Sequence, residues 1–409
     1  MKKVFVFILV VALSFVFISC QDPITAELLS YASEIEPDLS GFDKSDEKYL
    51  DSFVSFSSSI FKKQDGDENI LISPMSLYIA LSMLANGANN DTLAQLEDAL
   101  GLCVEDINDY CYSLLSAFSD RADSIMDVNN SLWLNNAHPT TVEDEFLETN
   151  ALYYNMDVYR DNLTSPEGLE NMNRWIDEKT NGMIKQAVKE LDPLTVLLIL
   201  NTLYFESAWA HGKYSYTNYD FTDANGDTSS QKFISGKTKS GYSSTGSADA
   251  VRIYLDDGYY FLGILPKEND IDSYIENFDK EELAALSGSL DYGVQVFWRL
   301  PAFSYDYDFS FVDVLEEMGV VDVFEGGAAD LSRLGHVDGA NIFVKDIFQK
   351  TRIELDNKGI KAAAVTVIVG EAESAPSETK YLYFDRPFVY AIMDSQTNTP
   401  LFMGAVKYL

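Results

Sequence analysis

The 409-residue chain is 46% hydrophobic, ample for a sizeable core and long for one domain. Its 29 Lys and Arg against 65 Asp and Glu leave a net charge of −36, which repels nucleic acid and anionic membrane and offers no basic stripe for phosphate. Plentiful Tyr and Phe exclude a disordered acidic tail, so solubility or adaptation to a salty or harsh medium is the simplest meaning of the charge.

Met1 to Cys20 reads as an export signal: Lys2-Lys3, an apolar run from Val4 to Ile18, then Ser19-Cys20. The run is shorter than the roughly 20 residues that span a bilayer. Phe17-Ile18-Ser19-Cys20 looks like a bacterial lipoprotein cleavage box, so residues 1–19 are the expected signal peptide. Lipidated Cys20 would be the only link to a membrane. Phe17 stands where Leu is usual, which leaves an ordinary signal peptidase and a secreted, extracellular product open. Residues 20–45 are acidic, punctuated by Ser, Pro and Gly, with one apolar patch at 28–32; they read as a tether.

A single domain is expected over 46–409. Tyr49, Phe53, Phe56, Ile60 and Phe61 recur at helical spacing. Ser73-Pro74 starts a second helix, with Leu77, Ala80, Leu81 and Leu84 on its apolar face and Gly87 as its stop. Asp91 or Thr92 is the expected cap of the next. Ser131–Asn135 alternates like a strand, and Asn173–Val188 is amphipathic and glycine-interrupted. The continuous apolar run Leu194–Trp209 predicts a strand buried on both faces in the middle of a large sheet. Lys232–Leu265 reads as several antiparallel strands, and Val294–Leu334 as strand, Pro turn, short helix and loop.

Cys103 and Cys111 are either a short disulfide loop or two buried thiols. His138, His211 and His336 are far apart and outside any metal-ligand spacing, so no metal or other cofactor is expected. No G-x-S-x-G, H-E-x-x-H, P-loop or dinucleotide fingerprint occurs, which argues against an enzyme.

Thr351–Leu355 alternates as a strand and ends at the turn signal Asp356-Asn357-Lys358-Gly359. Beyond Gly359 the residues are mostly small or β-branched. One alternate set is Ile360, Ala362, Ala364, Thr366, Ile368, Gly370 and Ala372; every charge, including Lys361, Glu371 and Glu373, falls in the other set with Ala363. Period 2 sends the two sets to opposite faces, so the first could enter a sheet facing a core. By itself the segment is equally a surface hairpin with one polar side.

Gly359-Ile360-Lys361-Ala362-Ala363-Ala364-Val365-Thr366, then the irregular stretch, then Phe384–Val406, together resemble the hinge, reactive-centre loop and C-terminal signature of the serpins. The blocks named above follow in the family's order over roughly Asp46–Leu409. The resemblance implies an α+β fold: helices around a large central mixed sheet, two further sheets, and an exposed reactive-centre loop at about 359–383. Ser73, Ser76 and Asn201 then match the shutter beneath the sheet. Trp209 matches the tryptophan at its top, where insertion begins, and Gln349 stands where many members have a shutter histidine. For the two serines, helix capping and back-bonding are a compatible structural role.

The activity so implied is suicide inhibition of serine proteases by a monomer: loop cleavage, acyl-enzyme formation, insertion of the loop and covalent trapping. Counting from the hinge glycine places the scissile bond at Glu373-Ser374; counting back from Pro387 suggests about Pro376. Glu373 suits a glutamyl endopeptidase, whereas Ala372, Ser374 and Ala375 suit elastase- or subtilisin-like enzymes. Departures from the family hinge are Asn357 for Glu, Ile360 for a small Thr or Ser, and Lys361 for Glu. The rival reading is a non-inhibitory surface lipoprotein of the same fold that serves as a binding module.

Overall fold

The protein was analysed as a computed structural model that describes residues 23–30, 36–43, 46–64, 66–119, 121, 123–138, 140–193, 195–239, 241–288, 290–291, 293–339, 341–360 and 378–409. In chain order the first elements are β1 (Glu27–Ser30), α1 (Glu47–Phe61), β2 (Ile70–Ile72), α2 (Pro74–Gly87), α3 (Asn90–Leu100) and α4 (Val104–Ser119). Then come β3 (Ile125–Asn135), β4 (Thr140–Val142), α5 (Asp144–Tyr154), β5 (Met156–Asp161), α6 (Pro166–Lys179) and β6 (Leu197–Ala208). The middle holds β7 (Tyr216–Thr222), β8 (Thr228–Lys239), β9 (Tyr242–Ser244), β10 (Ala248–Tyr254), β11 (Tyr259–Pro266), α7 (Ile271–Glu276) and α8 (Lys280–Gly288). Next are β12 (Val294–Pro301), β13 (Phe303–Ser310), α9 (Val312–Glu317) and β14 (Gly335–Val337). The chain closes with β15 (Phe348–Leu355), β16 (Gly359–Ile360), β17 (Glu378–Tyr383), β18 (Phe388–Asp394) and β19 (Pro400–Val406).

The strands make a seven-stranded sheet in the order β1-β5-β3-β6-β16-β15-β13, a six-stranded sheet β2-β19-β18-β11-β10-β9, a four-stranded sheet β17-β12-β8-β7 and the ribbon β14-β4. In the seven-stranded sheet β3 and β5 are parallel and the other pairs antiparallel, so it is mixed. The α+β architecture expected from the sequence is what forms.

Local chemistry explains the helices around the site. Asp46 caps α1 by accepting from the Lys48 amide, and Tyr49, Phe53, Phe56, Ile60 and Phe61 are buried as their spacing requires. Ser73 caps α2, with Pro74 in its first turn, and every residue of this helix except Ala80 is buried. It is therefore enveloped rather than laid on one face. Gly87 ends α2 against Leu334, whose Cβ would stand 2.6 Å from a Cβ added there. α3 is capped by Asn89, not by Asp91 or Thr92, because the Thr92 hydroxyl is engaged with the Asp330 amide at 2.9 Å. The helix expected over 173–188 runs instead over Pro166–Lys179 and stops where Asn181 and Gly182 take φ of 49° and 76°. Ile184 and Val188 stay buried without a helix.

Part of the segment expected as a tether belongs to the fold. β1 pairs antiparallel with β5 at the sheet edge, and Ile24, Ala26 and Leu28 pack on the cluster of Trp133, Tyr159, Met172 and Trp175. The Thr25 amide donates to Asn171 Oδ1 at 3.2 Å and Arg174 Nη1 donates to the Pro23 carbonyl at 2.8 Å, so the strand is tied across α6. No described helix is long and apolar enough to cross a membrane.

Candidate functional site: a cleft in the large sheet

β6 and β15 stand on either side of the two-residue strand β16. β6 pairs with β3 from Leu197 to Glu206, and with β16 only at Ala208 and Ser207. β15 pairs with β13 along its length and with β16 only through Leu355. Among the described residues, the facing edges of β6 and β15 below that point pair with no strand. Between them lies a cavity of about 820 Å³, lined by Leu197–Leu203 of β6, Phe348–Thr351 of β15 and residues of α2.

Its upper end is closed by the turn the sequence foretold. Asp356 Oδ1 accepts from the Lys358 amide at 2.7 Å and the Gly359 amide at 3.3 Å, and the Asp356 amide donates to the Gly359 carbonyl at 2.9 Å. Trp209 holds this turn twice: its amide donates to the Lys358 carbonyl and its indole Nε1 to the Asp356 carbonyl, both at 2.9 Å. Asn357 adds a third tie, its Nδ2 donating to the Tyr214 carbonyl at 3.0 Å. Ile360, opposite Leu355 on one side and Ser207 on the other, is buried in the main core. It is thus the first residue of the apolar-parity set and already occupies the face predicted for that set.

Its floor is a polar network under the sheet. The Gln349 side chain grips Ser73 with both ends: Oε1 accepts from the Ser73 amide at 2.7 Å, and Nε2 donates to the Ser73 carbonyl at 3.0 Å. Ser73 Oγ donates to the Leu401 carbonyl at 2.9 Å and accepts from the Ser76 amide at 3.3 Å. Ser76 Oγ donates to Asn201 Oδ1, Asn201 Nδ2 to Asn130 Oδ1, and Asn130 Nδ2 to the Tyr154 carbonyl at 2.7 Å. Each buried amide finds a partner, which offsets the cost of desolvating it.

The structure therefore brings Ser73, Ser76, Asn201 and Gln349 into one network and sets Trp209 apart at the cleft's upper end, roughly 26 Å along β6 at about 3.3 Å per residue. The sequence reading missed Asn130, and it placed Asn357 in the turn and among the hinge departures without foreseeing its tie to Tyr214. Lys361, Ala362, Ala363, Ala364, Thr366, the Ala372-Glu373-Ser374-Ala375 stretch and Cys20 lie outside the described residues. Cys103 and Cys111 are free thiols, the second buried and its thiol pushed up to about 12 by desolvation. Two of the three histidines, His138 and His336, line one cleft of about 300 Å³ with Arg160 and Asp338. No group of three metal-ligating side chains occurs among the described residues.

A large mixed sheet whose middle strands part beneath a tight turn, with a polar clasp under the gap, defines a protease-inhibitor fold. The chain belongs to the serpin family: the family model described as Serpin (serine protease inhibitor) matches residues 52–408. Serpins are protease inhibitors rather than catalysts, and serine proteases are their general partners.

Among relatives, the chain is 29% identical to Iripin-3 of Ixodes ricinus, over 84% of this chain and 89% of that one. It is 28% identical to an uncharacterized serpin-like protein of Methanosarcina acetivorans, over 83% and 81%. Among solved structures, the thermophilic serpin tengpin in its native state superimposes with a TM-score of 0.84 at 31% identity, covering 94% of this chain and all of that one. The same protein in its latent state gives 0.78 at 30% identity, over 92% of this chain and all of that one.

Proposed function

We propose that this serpin is an inhibitor of serine endopeptidases that acts as a suicide substrate. The observation that carries the proposal is the register of β16. Gly359 and Ile360 pair with Ala208 and Ser207 on β6, and Ile360 pairs with Leu355 on β15. A chain continuing one-for-one would set Ala362 between Phe205 and Ile353, Ala364 between Leu203 and Thr351, and Thr366 between Asn201 and Gln349. The small side chains then face the core and the threonine hydroxyl meets the polar network. The other parity set would place Val365 and Val367 beside Thr202 and Leu200, on the face that α6 covers. Lys361 would fall between Glu206 and Glu354, so its departure from the usual hinge Glu is matched by acidic neighbours.

In this reading the protease serine oxygen attacks the Glu373 carbonyl carbon, the bond to the Ser374 nitrogen breaks, and that amine leaves with a proton. The freed strand enters the cleft before water cleaves the ester. Fourteen residues at about 3.3 Å carry the acylated protease roughly 45–50 Å. On the order of 20 ladder hydrogen bonds at about 1 kcal/mol each exceed the whole stability of an ordinary domain, about 5–15 kcal/mol. A displacement of about 1 Å in the protease's catalytic groups can slow deacylation a hundredfold.

The test is incubation with an elastase, a subtilisin and a glutamyl endopeptidase. An inhibitor gives a covalent band that survives boiling in detergent, the C-terminal peptide recovered after denaturation names the scissile bond, and the cut protein melts well above the intact one. Loop cleavage without a covalent band or a melting gain would instead support the binding-module reading. We further propose, from the leader alone, that the chain is exported and held at the bacterial surface by lipidated Cys20; failure of Cys20→Ala to abolish fatty-acid labelling would refute this.

A further inference from the structure

In the four-stranded sheet one face of β12 is buried, and the opposite face is buried toward β7 but partly open to solvent at its β17 end. Val294, Val296, Trp298 and Leu300 of β12 and Leu382 of β17 are buried. On the opposite face the register aligns Tyr381, Phe297 and Lys237 in one row, and Tyr383, Arg299 and Ser235 in the next. Tyr381 is 63% exposed and its ring stacks on Phe297 at 5.5 Å. The Arg299 guanidinium lies 4.0 Å from the ring centre of Tyr383 and 4.1 Å from that of Tyr219. The row before them holds Thr379, Gln295 and Lys239. These three rows carry three cations and no carboxylate, in a chain with more than twice as many acids as bases.

The β17 end of this face lies outside the core, with Tyr381 exposed and Phe297 and Arg299 half-buried, whereas Phe233 and Phe221 further along the same face are buried. Solvent-facing aromatic rings beside arginine are the composition of interface hot spots. Position selects the occupant. β17 begins four residues after Ser374, and the seven-residue step from Ser374 to Tyr381 spans at most about 25 Å. A protease of ordinary size, with a radius of gyration of about 17 Å, would overlie the patch while its active site held the loop. The surrounding molecule repels acidic partners, so a local cationic face orients an acidic rim toward it.

We propose that the Tyr381–Phe297 stack, with Arg299 and Lys237, is an accessory docking surface for the attacking protease. It fits an enzyme with carboxylates and an apolar side chain beside its active-site cleft. The inference rests on the inhibitory reading above, and the experiment separates the two. With a protease that the wild-type protein traps, the second-order rate constant and the stoichiometry of inhibition are measured for the wild type, Tyr381→Ala and Lys237→Glu across a range of salt concentrations. Tyr381→Ala is expected to slow association about tenfold, the loss of one hot-spot side chain, with stoichiometry unchanged. Lys237→Glu is expected to slow it too and to flatten its salt dependence. Both side chains are exposed, so unchanged melting checks the fold. Rates within twofold of wild type for both variants, or a changed stoichiometry that points to loop insertion instead, would overturn the docking surface alone. If the wild type traps none of the proteases, the inhibitory reading falls and this proposal with it.

Discussion

Gln349 clasps Ser73 by an amide that cannot titrate, where many members of the family carry a histidine. The bond under the sheet is therefore insensitive to pH across the neutral range. Gln349→His would change that. A neutral imidazole can accept from the Ser73 amide, but a protonated one cannot. Its folded pKa would fall below the ordinary value of about 6.5, so the clasp would be intact above that value and lost as pH drops through the folded pKa. The measurement is melting temperature against pH: between pH 8 and pH 5 the variant should lose more than the wild type, the difference opening toward pH 5. Asn130 belongs to the same network, yet the sequence did not reveal it. The alternation that marks the strand begins at Ser131, whereas β3 starts at Ile125. An asparagine is tolerated mid-strand only because Asn201 and the Tyr154 carbonyl lie against it. Those partners are 71 and 24 residues away, beyond any local pattern.

The elements flanking the cleft were more legible than its caps. The alternation in β15, the turn at Asp356 and the parity beyond Gly359 depend on backbone period and side-chain size, which sequence displays directly. The length of α6 and the cap of α3 depend on competing hydrogen bonds and a left-handed pair of residues, which it does not. The register of β16 sharpens two predictions. Ala364→Arg would set a cation between Leu203 and Thr351 on the core face, and an unpaired buried charge costs several kcal/mol. The loop should then be cut at the usual rate while the detergent-stable band disappears. Lys361→Glu would place three carboxylates together at Glu206 and Glu354. Insertion should slow, and the stoichiometry of inhibition should rise about two- to threefold, an effect 0.5 M salt should largely relieve. If Lys361→Glu behaves as wild type, the one-for-one register is wrong.

At the scale of the whole molecule, β1 shields the outer edge of the seven-stranded sheet. A chain lacking residues 1–35 would leave the β5 edge unpaired and uncover the cluster around Trp133, Tyr159 and Trp175. Losing a few ladder bonds and three partly buried apolar side chains should lower the melting temperature by about 5 °C and raise binding of a hydrophobic dye. An unchanged melting curve would mean that β1 adds nothing to the fold. The surplus of acidic residues gave no hint of this strand, since its few apolar side chains sit in an otherwise solvated stretch. The sheet architecture was recoverable only because the blocks fall in a family's sequence, and the strand order was not. No periodicity specifies which of 19 described strands neighbour one another.

The six-stranded sheet has a last effect on what a nick would look like. β18 and β19 are buried throughout, between β11 and β2. They belong to the 36 residues that follow Glu373. Severing the backbone there should not shed a fragment: the two pieces should co-migrate through size exclusion as one particle and part only in denaturant. A short tail eluting separately under native conditions would mean that the cut had fallen elsewhere or that the core had come apart.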